Sequence, residues 1–371
     1  MQSRAAVFYE AGRPLELVTL DVPALSPGEV LVEIACATIC GSDLHTIHGQ
    51  RALKGPTILG HEMIGRVLEL SGGETEVCDL KGDRIQIGDR VTWSIAVDCG
   101  ECPYCRRGLP QKCVSLFKYG HEPIAVAPLS GGLAEHCLLR KNTRILKVPD
   151  TLEDQIACPA NCATATVEAA FRSAGDPAGK TIVIHGAGLL GLTAAAVARY
   201  FGAENIIVTD LAGHRLERAK QFGATHTINP QTGPEQLARA VRERTAGFGA
   251  DAVLEMSGSP QAAESSLDFL GIGGKLILVG AVFPTRHVQF PPERIVRNLW
   301  RIEGVHNYTP RDLVAAISFL EATRDLFPWA ELVTERFPLT EVNQAIESAS
   351  QSRSVRVAVE NGSPHHSRRF G

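Results

Sequence analysis

The chain has 371 residues, 44% of them hydrophobic, enough to bury two cores of ordinary size, so a two-domain protein is expected. Its 37 basic and 41 acidic residues are interspersed and leave a formal net charge of −4, which gives no polybasic field for nucleic acid or an acidic membrane surface. The N-terminal MQSRAAVFYEAGRP lacks a signal-peptide core, and no apolar run reaches the roughly 18 residues of a membrane helix, so a soluble cytoplasmic protein acting on small molecules is expected.

In chain order, the first third holds short β-type runs such as EVLVEIACA, MIGRVLEL and GDRVTWSI, punctuated by glycine and proline. Around Asp150 the texture changes. TLEDQIACPANCATATVEAAFRSAG has helical periodicity and stops at a glycine. Strands KTIVIHGAG, NIIVTD, ADAVLEMSG and GGKLILVG then alternate with helices LGLTAAAVARYFGA, AGHRLERAKQFGA, PEQLARAVRERT and PQAAESSLDFL, the pattern of a doubly wound parallel sheet. Beyond about Gly304, helical TPRDLVAAISFLEAT and LTEVNQAIESAS and the strand SVRVAVE break that alternation and are expected to return to the first domain. The division predicted is 1–160, 161–303 and 304–371, with NGSPHHSRRFG as a frayed tail whose His365 and His366 make poor ligands.

Gly186-Ala187-Gly188-Leu189-Leu190-Gly191 follows an apolar strand and opens an alanine-rich helix, which is where a dinucleotide fingerprint has to sit. Gly186 permits the tight turn, Gly188 lets backbone approach a pyrophosphate, Gly191 lets helix and strand pack, and the helix N-terminus offers N–H groups to the anion. Asp210 closes the next strand, where a carboxylate accepts from ribose hydroxyls and repels a 2′-phosphate; NAD is therefore favoured over NADP. Arg215 is a candidate neighbour of the adenine edge, and its charge weakens that preference.

Cys99-x2-Cys102-x2-Cys105-x7-Cys113 places four thiols among glycines and prolines, in a lobe at about 95–115. Four thiolates close one tetrahedral shell with no open position, so the expected ion is a structural zinc. Cys40-Gly41-Ser42-Asp43-Leu44-His45, Gly60-His61-Glu62 and Asn161-Cys162 supply a different set. Two thiolates and an imidazole leave a fourth position for water or substrate, as a catalytic zinc requires.

With these segments in place, the chain resembles the zinc-dependent medium-chain dehydrogenases over nearly its whole length, from the β-rich N-terminal part to SVRVAVE. The resemblance implies an α/β protein: a GroES-like β-rich catalytic domain joined to a Rossmann domain. It implies that Cys40, His61 and Cys162 bind catalytic zinc, that Ser42 passes the substrate proton to a His45 relay, that Asp43 orients an imidazole, and that Glu62 stands near the metal as an exchanging ligand. Polyol-dehydrogenase relatives carry glutamate where Cys162 stands, and Cys158 lies four residues earlier, so the third ligand has alternatives. Cys36, Cys78, Cys137 and Cys158 are read as packing thiols. Thr166 is expected at the nicotinamide, with Leu190 and Val279 as apolar walls. Gly41 replaces a basic residue that some relatives place near the pyrophosphate, and Arg356 is the candidate substitute.

The implied reaction is hydride transfer between NAD(H) and an alcohol, aldehyde or ketone, with two zincs per chain. A homodimer or homotetramer built on edge strands is implied as well, WRIEGVH being the candidate edge. GLPQKCVSLFKYGHE, GGLAEHC and PANCATATVEAA resemble a subgroup associated with phosphonate metabolism, which implies a small phosphonate-bearing substrate; Arg51, Lys54, Lys118 and His121 are the candidate anion contacts. The alternatives are a zinc-independent double-bond reductase on the same scaffold and a non-catalytic dinucleotide-binding protein with one structural zinc.

Overall fold

The computed structural model describes residues 1–71, 76–351 and 354–361; the C-terminal tail with His365 and His366 lies outside them. The chain divides into two units, one made of Met1–Cys162, Thr309–Glu321 and the chain from Trp329 on, the other of Ala163–Tyr308 and Ala322–Pro328. No helix among the described residues is long and apolar enough to cross a membrane.

In the first unit Val30–Thr38 (VLVEIACAT) is buried on both faces for most of its length and lies inside a seven-stranded sheet. Glu62–Leu70 pairs antiparallel on one side of it, and Arg356–Glu360 pairs antiparallel on the other, so SVRVAVE does return to the first sheet. The register sets Thr38 opposite Glu62 and Ala358 opposite Thr38, which draws three distant stretches to one end of the sheet. Trp93, Tyr119, Met63 and Leu133 fill the core around it. Trp93 is fully buried, and deleting an indole so placed costs about 3–5 kcal/mol. Val333–Pro338, a strand that charged residues hide from a period-two reading, pairs parallel with Arg356–Glu360.

The second unit carries a six-stranded parallel sheet in the order His226–Ile228, Asn205–Thr209, Thr181–His185, Ala250–Glu255, Leu270–Leu278, Arg301–Gly304. Thr181–His185, buried throughout, is the first strand, and the winding reverses beside it. That reversal opens a crevice at the carboxyl ends of the strands, the place where doubly wound sheets bind ligands. Helix Leu189–Tyr200 buries a run of alanines against the sheet.

The helical stretch after Asp150 is broken. Asp154–Ala157 is α-helical, Cys158–Asn161 is a 3-10 turn, and a new helix runs Ala163–Ala174. Pro159 lacks an N–H to bond back one turn, so the regular α-helix ends there; Cys158 itself stays helical at φ −54°, ψ −49°, and Cys162 leaves the helical path at φ −129°, ψ −73°.

Candidate active site and zinc centres

Cys40 ends the run from Val30–Thr38 and caps a short helix, Gly41–Ile47. Its N–H donates to Asp43 Oδ2 at 3.0 Å, which closes the first turn and fixes the carboxylate. The other oxygen, Asp43 Oδ1, accepts from His61 Nδ1 at 3.2 Å, with both residues buried. This bond sets the tautomer, leaving His61 Nε2 to face a ligand; Ser42 Oγ stands 3.3 Å from that nitrogen. Burial pulls the His61 imidazolium down, but Asp43 and Cys40 more than offset it and hold its pKa above the usual value.

The ligand atoms of Cys40, His61, Glu62 and Cys162 all lie within 4.8 Å of one another, inside the first unit. Cys40 is held well below the ordinary thiol range by a hydrogen bond with Cys162; burial opposes this, and the charges of Arg356 and His61 assist it. The same hydrogen bond, with burial, pushes Cys162 up. Two thiols, an imidazole and a carboxylate at this spacing fit zinc. Asn161 donates from Nδ2 to the carbonyls of His61 at 3.1 Å and Trp93 at 2.9 Å, pinning the turn before Cys162 to the strand that carries His61. Cys158 is not in the set: its thiol reaches the carbonyls of Cys36 at 3.4 Å and Glu62 at 3.3 Å.

Glu62 is completely buried. Burial raises its pKa to about 6 against the pull of Arg356. It accepts from Arg356 Nε at 2.8 Å and Nη2 at 3.0 Å, and from Thr38 Oγ1 at 2.6 Å. Arg356 Nη2 also lies 3.6 Å from Cys40 Sγ. The guanidinium of Arg356, the candidate for the pyrophosphate, is thus engaged by a buried carboxylate and a ligand thiol. Thr38 went unnoticed in the sequence because only strand register puts it opposite Glu62.

The four sulfurs of Cys99, Cys102, Cys105 and Cys113 also lie within 4.8 Å of one another. A tetrahedral zinc with sulfurs at 2.3 Å needs them about 3.8 Å apart. Backbone amides already point at the sulfurs: Cys99 N–H donates to Cys113 Sγ and Cys102 N–H to Cys99 Sγ, each at 3.3 Å. The Cys105 N–H lowers the Cys102 thiol to about 6, and burial raises Cys105 to about 12. Of the remaining thiols, Cys36, Cys137 and Cys158 are buried as expected, but Cys78 is exposed and is no packing residue.

In the second unit Gly186 holds φ +91°, and a Cβ on Gly191 would sit 1.7 Å from the Gly186 oxygen, whereas one on Gly188 would meet nothing within 4 Å. Asp210 faces this turn: Oδ2 accepts from Ala187 N–H and Oδ1 from Ala212 N–H, both at 2.8 Å. Arg215 Nη1 lies 3.9 Å from Asp210 Oδ2. Leu190 is half-buried in the first turn of the helix, Val279 is buried just past Leu270–Leu278, and Thr166 is half-buried in the first turn of Ala163–Ala174.

His45, half-buried, pairs through Nδ1 with Gln50. Arg51 Nη1 donates to His121 Nε2 at 2.7 Å, Lys118 is half-buried and Lys54 is exposed.

Residues 26–150 match the alcohol dehydrogenase GroES-like domain, and residues 190–322 match the zinc-binding dehydrogenase domain. The chain is 32% identical over 358 residues to a sorbitol dehydrogenase of Bacillus subtilis, covering 95% of this chain and 94% of that protein. An alcohol dehydrogenase of Geobacillus stearothermophilus is 31% identical over 348 residues, covering 93% and 95%. Among solved structures, an alcohol dehydrogenase from Thermotoga maritima superposes with a TM-score of 0.92 at 32% identity, covering 98% of this chain and all of that one. The chain belongs to the zinc-dependent medium-chain dehydrogenase/reductase family, with a GroES-like domain and a Rossmann domain.

Proposed function

We propose that the protein is an NAD-dependent alcohol dehydrogenase holding two zincs per chain. The catalytic ion would be held by Cys40, His61 and Cys162 with Glu62 beside it, and a structural ion by Cys99, Cys102, Cys105 and Cys113. The observation that carries the reading is the convergence of Cys40, His61, Glu62 and Cys162 within 4.8 Å, with Asp43 fixing the imidazole behind them. When bound, zinc supplies Lewis acidity toward the substrate oxygen and the nicotinamide supplies the hydride acceptor.

The chain's own residues bind, orient and move the proton. Asp43 and Asn161 hold His61 and its strand, so the donor atoms are set before a substrate arrives. Ser42 Oγ, beside His61 Nε2, takes the substrate's hydroxyl proton as it gives up its own, and His45 on the next turn of the same helix carries the charge outward. Arg356 neutralises Glu62, so the buried carboxylate does not repel the developing negative charge on the substrate oxygen.

Asp210 supports NAD over NADP: its carboxylate stands against the glycine turn, where it would repel a 2′-phosphate, and it partly offsets the charge of Arg215, 3.9 Å away, which would otherwise attract one. Thr166, Gly186, Gly188, Leu190, Gly191 and Val279 complete the cofactor contacts on this reading. The substrate is an alcohol or aldehyde, and the sequence points to a small phosphonate-bearing one. A cytoplasmic homodimer or homotetramer follows, with Arg301–Gly304, the last strand of its sheet, as the pairing edge.

The test is a panel of alcohols with NAD and NADP on the wild type and Cys40→Ala, alongside metal analysis. Loss of alcohol-dependent NAD reduction in the variant, with two zincs in the parent, is expected; a variant as active as the parent ends the metal mechanism. Asp210→Ala is expected to lower the NAD to NADP preference at least tenfold.

A further inference from the structure

Glu255 ends strand Ala250–Glu255 and is completely buried, in register between His185 on one side and Leu278 on the other. Among the described residues no cation forms an ion pair with it. Its carboxylate instead collects the donors of the next turn. Oε1 accepts from Ser257 N–H at 2.8 Å, from the Ser257 hydroxyl at 2.5 Å and from Gly258 N–H at 2.9 Å, and Oε2 accepts from Gly258 N–H at 3.1 Å. A carboxylate kept from water without a cation is unfavourable, and these bonds offset that cost. An apolar side chain would fill the same space and extend the same sheet, but only an acceptor draws three donors of a tight turn to one point.

The turn so held is wedged in place. Gly258 adopts φ +75°, and a Cβ there would lie 2.7 Å from the Gly280 oxygen; one on Gly280 would lie 2.3 Å from the Gly258 nitrogen. A Cβ on Gly186 would come within 3.1 Å of Ser257 Cβ. The backbone joins the same three segments: Met256 N–H donates to the His185 carbonyl, and Val279 and Gly280 N–H to the Glu255 carbonyl, each at 2.9 Å. Ser257, exposed just past the carboxyl end of its strand, thus stands beside the first glycine of the fingerprint.

Strand order says which part of a dinucleotide meets this turn. Asp210 follows Asn205–Thr209, on one side of Thr181–His185, and Ala250–Glu255 lies on the other. A dinucleotide whose adenosine ribose meets Asp210 and whose pyrophosphate meets the glycine turn therefore carries its nicotinamide half across the end of Ala250–Glu255. We infer that Glu255 is a positioning residue for the nicotinamide half of the dinucleotide, fixing the turn at Ser257 and Gly258 that this half crosses. This role rests on the dinucleotide reading of residues 186–191; Glu255, being buried, touches no cofactor atom itself.

Calorimetric titration of the zinc-loaded protein with NADH and with ADP, which lacks the nicotinamide half, tests it. Glu255→Leu is expected to bind NADH at least tenfold more weakly than the wild type and ADP less than threefold more weakly, a loss that the hydrogen bonds to a charged acceptor account for. Glu255→Gln retains an acceptor oxygen for Ser257 and is expected to recover NADH binding to within threefold. Ser257→Ala, at an exposed position that folding tolerates, is expected to weaken NADH at least threefold and leave ADP unchanged; it decides the matter alone should Glu255→Leu not fold. Equal losses for NADH and ADP would mark a purely structural residue and overturn the role, as would wild-type NADH affinity in Glu255→Leu or Ser257→Ala. A wild type that binds neither NADH nor ADP would instead overturn the dinucleotide reading, and this role with it.

Discussion

Gly188 and Gly191 lie three residues apart in one turn, yet alanine at each should fail for a different reason. At Gly191 the added Cβ would start 1.7 Å from the Gly186 oxygen and 2.8 Å from its carbonyl carbon, both backbone atoms that no rotamer change can move. Reaching even 3.0 Å from that oxygen requires helix Leu189–Tyr200 and the turn to separate by more than an ångström. Overpacking on this scale costs at least about 3 kcal/mol, and the gain of roughly 1 kcal/mol from replacing glycine in a helix does not offset it. At Gly188 the Cβ meets nothing within 4 Å, and the residue caps the helix with φ −76° and ψ −171°, a conformation open to alanine. Only the difference between a glycine and an alanine cap is lost there, under about 1 kcal/mol. The new methyl group would instead occupy the face where a pyrophosphate approaches. Urea unfolding and NADH titration by fluorescence separate the two. Gly191→Ala should lose both stability and NADH binding, whereas Gly188→Ala should keep its unfolding midpoint and lose at least tenfold in affinity. A Gly188→Ala protein that binds NADH like the parent, or a Gly191→Ala protein of unchanged stability, refutes the reasoning.

Asp43→Asn replaces an acceptor of the His61 Nδ1–H or of the Cys40 N–H with a donor, and should weaken zinc 10- to 100-fold in a chelator competition; an unchanged competition curve would deny Asp43 its orienting role. Cys113→Ser should lower metal content from two zincs per chain to one and reduce the unfolding temperature, checked by metal analysis and calorimetry. His185 is buried, donates to or accepts from Thr209 Oγ1 at 2.7 Å, and is lowered by burial from the usual 6.5 to about 4. The unfolded chain therefore takes up a proton between pH 6.5 and 4 that the folded chain refuses. The contribution is full above the unfolded value and is lost as pH falls, by about 1.4 kcal/mol per unit and roughly 3 kcal/mol in all. His185→Gln should flatten that limb of the stability profile by this amount; an identical slope in the two proteins would contradict it.

What the sequence made legible was what lies close together in it. The glycine turn, the four-cysteine lobe and the alternation of strands and helices after Thr181 are local patterns, and each has its counterpart in the structure. Helix Gly41–Ile47 was hidden because its seven residues are too few for periodicity to register. Asn161 and Thr38 act on His61 and Glu62 across 100 and 24 residues, through register and a proline-broken turn, which no local pattern encodes. Arg356 was marked as functional charge from its strand, but its partner could be found only once that strand was seated beside Val30–Thr38.

That seating bears on how the chain is made. Glu62 and the arginine that neutralises it are 294 residues apart, so the strand carrying Arg356 leaves the ribosome only after the nucleotide-binding unit has done so. Until then the N-terminal sheet holds a carboxylate destined for a dry interior with no cation to meet it, while the nucleotide-binding unit, nearly continuous in sequence, can already fold. A nascent chain stopped short of Arg356 bears an uncompensated buried charge worth about 3–5 kcal/mol, so completion of the first unit acts as a check that translation has passed beyond the nucleotide-binding unit.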